Sequence, residues 1–298
     1  MAEYYDPKTY LTKWNYLQSG TILDQYMIER ELAHGGFSSV YLARRLKDQT
    51  QVAIKEFLPR KQAHRTWNNV VVPNSKEDKL LFNKGLALFF EEARVLSQLK
   101  HKNIVAVTNF FKANATVYMV MNYDYGLGLN KIVANKIIPM TEDFLVRVFT
   151  DLLGGVSKIH AQKMLHLDIK PGNILIRPEN SPLLLDFGAI KKMSELTNNQ
   201  PLVITHGFSP IEQYRNKTRI GPWTDIYAIG ASMRSCLDCK AMQPSPERIK
   251  HDVTIPATKA YKRKLPTYLL EAIDWATEIQ PAKRPQTTEA LIDALNPT

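Results

Sequence analysis

The most informative stretch of this sequence is His166-Leu167-Asp168-Ile169-Lys170-Pro171-Gly172-Asn173, which is followed by Asp186-Phe187-Gly188. Asp168 can orient an attacking hydroxyl and take its proton, and Lys170 can neutralise charge on a phosphoryl group in transfer. Asn173 and Asp186 supply the hard oxygen ligands that Mg²⁺ takes together with phosphate oxygens and water. A helix cap or a turn would explain any one aspartate, but neither explains the combined spacing.

Two upstream features each have a catalytic and a structural interpretation. Lys55 ends the apolar run Val52-Ala53-Ile54, where an ammonium group is costly unless it meets an anion such as Glu92 or a phosphate. A lysine at a strand end that reaches water fits the same pattern equally well.

Gly35 and Gly36 lie between two strand-like runs, where their backbone N–H groups can approach phosphates because glycine has no Cβ. An ordinary hairpin turn explains this pair equally well.

The apolar pattern divides the chain into a β-rich first part and an α-rich second part. Five strands are predicted, at Tyr26–Ala33, Ser39–Leu46, Gln51–Leu58, Ile104–Phe111 and Thr116–Tyr123. One helical face within residues 86–100 is formed by Leu86, Phe89, Phe90, Ala93, Leu96 and Leu99. The second part shows a helical stripe (Leu145, Val148, Leu152, Val156, Ile159), two short strands (Ile174–Ile176, Leu183–Leu185) and helices near 224–238, 268–278 and 287–295.

These patterns predict a bilobal α+β fold. A five-stranded antiparallel β N-lobe carries one helix, and the C-lobe is mostly α-helical. We expect an aromatic N-terminal extension over residues 1–25 and one domain over residues 26–296. Within it, the N-lobe covers 26–121, the hinge 122–128 and the C-lobe 129–296. The extension contains Tyr4, Tyr5, Tyr10, Trp14 and Tyr16, which we expect to dock on the domain that follows.

The amino-acid composition favours a soluble globular protein. The chain has 298 residues, of which 44% are hydrophobic and 23% charged, as in soluble globular proteins. It has no long apolar run and no signal-peptide pattern at its N-terminus, so we expect no membrane span and a cytoplasmic location.

The net charge of +10 is spread along the chain, so no nucleic-acid partner is expected. The densest basic cluster (Arg60, Lys61, His64, Arg65) is interpreted as a solvated loop. Cys236 and Cys239 are interpreted as helix-end thiols rather than as a redox or zinc site.

In this order, the lysine, catalytic-loop and metal-binding motifs resemble the eukaryotic-like (Hanks-type) protein kinase family, over about residues 20–296. The segment from Gly221 to Gly230 is most similar to the bacterial Ser/Thr branch. Lys170 and Thr205 also resemble the serine/threonine branch rather than the tyrosine branch. The resemblance implies a kinase that moves the γ-phosphoryl group of Mg-ATP onto serine or threonine hydroxyls of a protein substrate.

The resemblance also implies roles for individual residues. Lys55, Glu92, Asp168 and Lys170 would be catalytic, with Lys55 paired to Glu92 and gripping phosphates, and Asn173 and Asp186 would bind Mg²⁺. The predicted ATP contacts are Leu32, Gly35, Gly36, Val40, Ala53, Lys55, Met121, Asn122, Tyr123 and Leu175. Phe187, His166 and Leu96 would stack in an internal spine anchored by Asp225. Glu212 would form a buried ion pair with Arg284, although Pro-Ile-Glu replaces the family's Ala-Pro-Glu.

Three departures from the family pattern bear on regulation. Ala33 and Ser38 replace the outer glycines of the phosphate loop, which predicts a less pliant loop. The segment between Lys55 and Glu92 is long, and residues 70–75 are predicted to form an inserted loop or hairpin. Leu167 replaces an arginine that, in many kinases, receives the phosphate of the activation loop.

We therefore expect activity that does not depend on activation-loop phosphorylation, with control by the N-terminal segment or by the insert. A nucleotide-binding pseudokinase scaffold is the alternative, and a small-molecule kinase is a third interpretation. The sequence leaves open whether the protein has a regulatory partner or forms a dimer.

Overall fold

The computed structural model describes residues 16–196, 202–215 and 219–297. Tyr4, Tyr5, Tyr10 and Trp14 of the expected extension lie outside the described residues. The chain forms two compact units, the first comprising residues 1–100 and 106–124, and the second residues 101–105 and 125–298. Each unit is described separately.

The first unit is built on an antiparallel sheet of six strands, one more than predicted. In spatial order these are β1 (Ile22–Leu23), β2 (Tyr26–His34), β3 (Ser38–Arg45), β4 (Gln51–Phe57), β8 (Thr116–Asn122) and β7 (Val107–Ala113). The prediction missed β1 because two residues cannot show an alternating pattern. The predicted strand at Ile104 begins at Val107, because Ile104 instead bridges to Leu184 in the second unit.

One face of this sheet carries the core of the first unit. The side chains that pack together there are Leu17, Leu23, Tyr26, Ile28, Tyr41, Ala43, Val52, Ile54, Tyr118 and Val120. Burying each large apolar side chain contributes about 1.5–3 kcal/mol. Because Leu17 and Leu23 belong to this cluster, residues 17–23 pack as part of the unit.

Among the described residues of the first unit there is one helix, α1 (Lys76–Gln98), which begins well before the predicted position at residue 86. Ser75 caps it, because its Oγ accepts from the backbone N–H of Asp78 at 3.0 Å. Phe89, Ala93 and Leu96 are buried as predicted. Phe90 is 37% exposed, which the predicted face did not anticipate.

The insert between β4 and α1 contains a hairpin of β5 (Ala63–Arg65) and β6 (Val71–Pro73), as the sequence predicts for residues 70–75. The interpretation of the basic cluster as a solvated loop is wrong for Arg65. Its side chain is fully buried and forms an ion pair with Glu56. A buried carboxylate on β4 therefore determines where the hairpin packs.

The second unit is mostly helical, as predicted. Its helices are α2 (Leu129–Ala134), α3 (Glu142–Ala161), α4 (Ile211–Tyr214), α5 (Pro222–Asp238), α6 (Ser245–Lys250), α7 (Ala257–Ala260), α8 (Thr267–Ala276) and α9 (Thr288–Leu295). Its strands are β9 (Leu127–Gly128), β10 (Met164–Leu165), β11 (Ile174–Arg177), β12 (Ser181–Leu184) and β13 (Lys191–Lys192). The predicted stripe on α3 is entirely buried. None of the helices within the described ranges has the length and apolar character to cross a bilayer.

Helix α5 lies at the centre of the second unit. A Cβ on Gly230 would come within 2.6 Å of Ala276, so glycine is what permits the close approach of α5 and α8. Cys236 is buried within α5 and Cys239 caps its C-terminus with a left-handed backbone (φ 54°). Both are free thiols, which agrees with the prediction.

Candidate active site

In the first unit, the lysine on β4 forms a buried ion pair with the glutamate on α1. Lys55 Nζ lies 2.7 Å from Glu92 Oε1, and the two side chains are only 11% and 7% exposed. The ring of Phe89 lies beside the ammonium, with its centroid 5.6 Å from Nζ. The alternative of a lysine that reaches water at a strand end does not fit this geometry.

Strand pairing places several predicted nucleotide contacts on one face of the sheet. Val40 is paired with Lys55, and Ala53 is paired with Met121. Directly paired residues share a face, and so do residues two apart along a strand. Val40, Ala53, Lys55 and Met121 therefore share the face that carries the ion pair.

The glycine-bearing turn joins β2 to β3. The backbone N–H of Gly35 donates to the carbonyl of Ser38 at 2.8 Å, which closes the hairpin. A Cβ added to Gly35 or Gly36 would meet no atom within 4 Å, and both residues are exposed. Packing therefore does not require glycine here, and the glycines leave the backbone open to a ligand.

The other predicted ATP contacts are placed as follows. Leu32 lies in β2 and is half-buried, Asn122 ends β8, and Tyr123 follows it. The N–H of Asn122 donates to the carbonyl of Ala106 at 3.0 Å. Leu175 lies on β11 of the second unit and is half-buried.

In the second unit, the predicted catalytic residues form a compact hydrogen-bonded group around Asp168. Lys170 Nζ donates to both carboxylate oxygens of Asp168, at 3.0 and 2.7 Å. The hydroxyl of Thr205 donates to Asp168 Oδ1 at 2.6 Å and accepts from Lys170 Nζ at 3.2 Å. Asn173 Nδ2 donates to the carbonyl and to Oδ2 of Asp168, at 2.9 and 3.1 Å.

A buried aspartate on α5 holds the backbone of this loop. Asp225 accepts from the N–H groups of His166 and Leu167, at 2.9 and 2.8 Å, and from His160 Nε2 at 2.8 Å. Burial alone would raise the pKa of Asp225, but the His160 contact and the other donors hold the pKa below its usual value. Leu167 has a left-handed backbone (φ 63°), which is uncommon for a leucine and gives the loop its bend.

The predicted metal ligand Asp186 precedes the buried ring of Phe187. Asp186 Oδ1 accepts from the N–H of Gly188 at 3.1 Å. Phe187 packs edge-on against His166, with ring centroids 4.8 Å apart. Leu96, the third predicted member of this stack, is buried within the first unit.

Within the ranges that the structure describes, no group of three or more His, Cys, Asp or Glu side chains is placed to hold a metal ion. Mg²⁺ does not need such a group, since it binds through one or two carboxylates together with phosphates and water.

Three supporting residues were not predicted. Gln213 Nε2 donates to the carbonyls of Leu167 and Val203, at 2.9 and 3.0 Å. Ser209 Oγ accepts from the N–H of Thr205 at 2.9 Å, and His160 contacts Asp225. The positions of these residues show no periodicity, and only the folded chain brings them to the loop.

The match to the protein kinase domain family covers residues 26–294. The chain belongs to that family. The fold class and the family predicted from the sequence are thereby confirmed.

Two bacterial relatives of this kinase domain are named as serine/threonine kinases. "Serine/threonine-protein kinase D" of Synechocystis sp. is 29% identical over 289 residues, which are 92% of this chain and 52% of that protein. "Probable serine/threonine-protein kinase PknB" of Lactococcus lactis is 30% identical over 72% of this chain and 32% of that protein. The kinase domain thus spans about half the length of the first relative and a third of the second.

A solved chain described as "PpkA-294 apo form" has the same fold as this kinase domain. The TM-score is 0.86 at 31% identity, and the match covers 95% of this chain and 100% of that chain.

Proposed function

We propose that this kinase domain transfers the γ-phosphoryl group of Mg-ATP to serine or threonine hydroxyls of a protein substrate. The observation that carries the proposal is the group formed by Asp168, Lys170 and Thr205. The Thr205 hydroxyl, 2.6 Å from Asp168 Oδ1, shows that this carboxylate can accept a hydrogen bond from an aliphatic alcohol. The names of the relatives support serine or threonine as the acceptor.

The role that we propose for each side chain follows from its contacts. Asp168 orients the substrate hydroxyl and accepts its proton, while Lys170 offsets the negative charge that gathers beside it. Glu92 holds the Lys55 ammonium in a fixed place, so that it can contact phosphate oxygens.

Asn173 and Asp186 are the proposed Mg²⁺ ligands, and their chemistry fits that ion. The amide nitrogen of Asn173 donates twice to Asp168, and neither bond uses the amide oxygen, which is the atom a cation needs. When bound, Mg²⁺ would neutralise charge on the phosphates. The proposed ATP contacts are the set predicted above, from Leu32 to Leu175.

The proposed boundaries are those predicted from the sequence: a domain over 26–296 with a hinge at 122–128. ATP use supports a cytoplasmic site of action.

We also propose that catalysis does not need a phosphate on the activation loop. Leu167 is buried in an apolar cluster, formed by Leu165, Leu167 and Ala189 with Met193, Leu196, Leu202 and Ile220 packed against them. Apolar contacts therefore hold this segment where an arginine and a phosphate act in many kinases. Lys192, a basic residue of this segment, forms an ion pair with Glu195, with Nζ–Oε1 at 3.0 Å.

Two measurements on the same preparations test the proposal. The first follows transfer of radiolabelled phosphate from ATP to a generic basic protein, by wild type, Asp186→Asn and the exposed control Asp143→Asn. We expect the signal with wild type and the control and its loss with Asp186→Asn. Equal signals in all three would overturn the metal-site assignment.

The second measurement is thermal unfolding with ATP, with Mg²⁺ or with EDTA. Ligand at a hundredfold excess over its dissociation constant stabilises the fold by about 2.7 kcal/mol, and we expect this gain only with Mg²⁺. Stabilisation by Mg-ATP without transfer to any protein would favour the pseudokinase alternative.

A further inference from the structure

The chain that follows β4 holds the tip of the glycine-bearing turn. The N–H of Leu58 donates to the carbonyl of Phe37 at 2.9 Å, and the N–H of Arg60 donates to the carbonyl of Gly36 at 3.1 Å. The turn is therefore hydrogen-bonded through the carbonyls of Gly36 and Phe37 to the segment that follows the Lys55 strand.

The side chain of Arg60 extends this attachment to both strands of the hairpin. Its Nη2 donates to Oγ of the buried Ser39 on β3 at 3.1 Å. The same nitrogen lies 3.9 Å from Glu31 Oε1 on β2. One guanidinium thus joins β2 and β3 close to the turn.

Tyr16 completes the arrangement from the N-terminal side. Arg60 Nη1 donates to the Tyr16 hydroxyl at 2.9 Å, and the guanidinium carbon lies 4.6 Å from the centre of the Tyr16 ring. The Tyr16 ring also lies 5.5 Å from the ring of His34, the last residue of β2. The next residue, Leu17, is buried in the sheet core and fixes Tyr16 in place.

We propose that Tyr16 and Arg60 form a clamp that fixes the glycine hairpin, so that the N-terminal segment sets the affinity of this domain for nucleotide phosphates. This inference rests on the proposed function, because it takes the hairpin as a phosphate-binding element. Tyr16 and Arg60 are both positioning residues that act through the backbone of Gly35 and Gly36. A hairpin that is already ordered binds phosphates without the cost of ordering it during binding. Displacement of Tyr16 releases the hairpin and weakens phosphate binding, which gives the segment a means of control.

The test compares Tyr16→Ala, Tyr16→Phe and Arg60→Ala with wild type and with Trp67→Ala. Trp67 is a control aromatic of the same unit, 75% exposed on the inserted hairpin. The measured quantities are the dissociation constants of Mg-ATP and of adenosine, KM for ATP, kcat, and amide hydrogen exchange at Leu58 and Arg60. Adenosine has no phosphate and therefore does not report on the hairpin's phosphate contacts.

We expect Tyr16→Ala to weaken Mg-ATP binding about tenfold and adenosine binding less than twofold, with KM rising and kcat nearly unchanged. Tyr16→Phe keeps the ring against the guanidinium and should weaken Mg-ATP binding only about threefold. Exchange at Leu58 and Arg60 should accelerate in Tyr16→Ala and stay at the wild-type rate in Trp67→Ala.

Each contrary result has a distinct meaning. Equal Mg-ATP affinity in wild type and Tyr16→Ala would overturn the clamp, and so would an equal loss of adenosine and ATP binding. Wild-type protein that binds no ATP would overturn the proposed function itself. Unchanged amide exchange in Tyr16→Ala would show that the contacts do not order the hairpin, whatever the nucleotide results.

Discussion

The guanidinium of Arg284 donates to both carboxylate oxygens of Glu212, with Nη1–Oε1 at 2.6 Å and Nη2–Oε2 at 3.2 Å. The side chains are 0% and 1% exposed. Arg284 also donates to the carbonyls of Glu278 and Ile279, and Thr224 Oγ1 donates to Glu212 Oε1 at 3.0 Å. The pair therefore ties α4 to the segment that precedes α9, with its charges fully hydrogen-bonded.

Replacing Arg284 by alanine should destabilise the second unit by about 3–5 kcal/mol, because Glu212 would keep a buried charge without its cation. Chemical denaturation measures the free energy of unfolding directly. The matched control is Arg147→Ala, which removes an exposed pair with Asp143 and should change stability by less than about 1 kcal/mol. A loss below about 1 kcal/mol in Arg284→Ala would mean that water replaces the arginine at Glu212.

Arg65→Ala should lower the free energy of unfolding of the first unit by about 3–5 kcal/mol, as measured by chemical denaturation. Glu56 accepts hydrogen bonds from Arg65, Tyr41 and Tyr118, all within the sheet core. Burial, with the nearby Glu56 charge, raises the pKa of both tyrosines, so both stay neutral donors. The double variant Glu56→Gln/Arg65→Met removes both charges and should lose less stability than Arg65→Ala alone. If the double variant lost more, the desolvation argument would be wrong.

Sequence reasoning predicted the local group around Asp168 better than it predicted the contacts that hold this group. Asp168, Lys170 and Asn173 are near in sequence, so their motif predicted one local group. Glu212 and Arg284 were paired only through the family resemblance, since nothing local links them. Arg65 was misassigned because its partner on β4 becomes apparent only after the hairpin folds back onto the sheet.

His166 gives the stability of the second unit a pH dependence. Burial lowers the pKa of His166 below its ordinary value of 6.5, so the folded protein keeps this imidazole neutral. The unfolded chain binds a proton as the pH falls through about 6.5, and the free energy of unfolding therefore decreases below that pH.

Urea denaturation between pH 7.5 and 5 should show this loss of stability, and His166→Phe should reduce it. The pKa of His101 is shifted in the same direction, so a residual slope is expected. An unchanged slope in the variant would assign the pH dependence to other groups.

Asp168→Asn should lower turnover by about 10²–10⁴, the usual contribution of a positioned general base. Its carboxylate contacts Lys170 and Thr205, and the proposal assigns it no contact with ATP. The dissociation constant of Mg-ATP should therefore stay within about threefold of the wild-type value. Calorimetry and steady-state kinetics on the same preparation separate the two quantities. An equal loss of affinity and turnover would contradict the role assigned to Asp168.

The last prediction concerns the activation segment and depends on Leu167. Leucine has no hydrogen-bond donor, and Leu202 and Met193 pack on its cluster from two stretches of that segment. Ser194 and Thr197 are candidate phosphorylation sites, and Thr197 lies outside the described residues. If apolar contacts order the segment, removing both hydroxyls should leave activity unchanged, whereas removing an apolar contact should not.

We therefore expect phosphatase-treated Ser194→Ala/Thr197→Ala to retain activity within about twofold of untreated wild type, whereas phosphate-ordered loops lose far more. Leu202→Ala, treated in the same way, should lose activity about fivefold or more, because the cluster loses a large apolar side chain. Thr205 is left unchanged in both, since its hydroxyl contacts Asp168 and its loss would affect catalysis directly. A drop beyond tenfold in the double variant, restored by acidic replacements at the same positions, would show that a phosphate orders the segment.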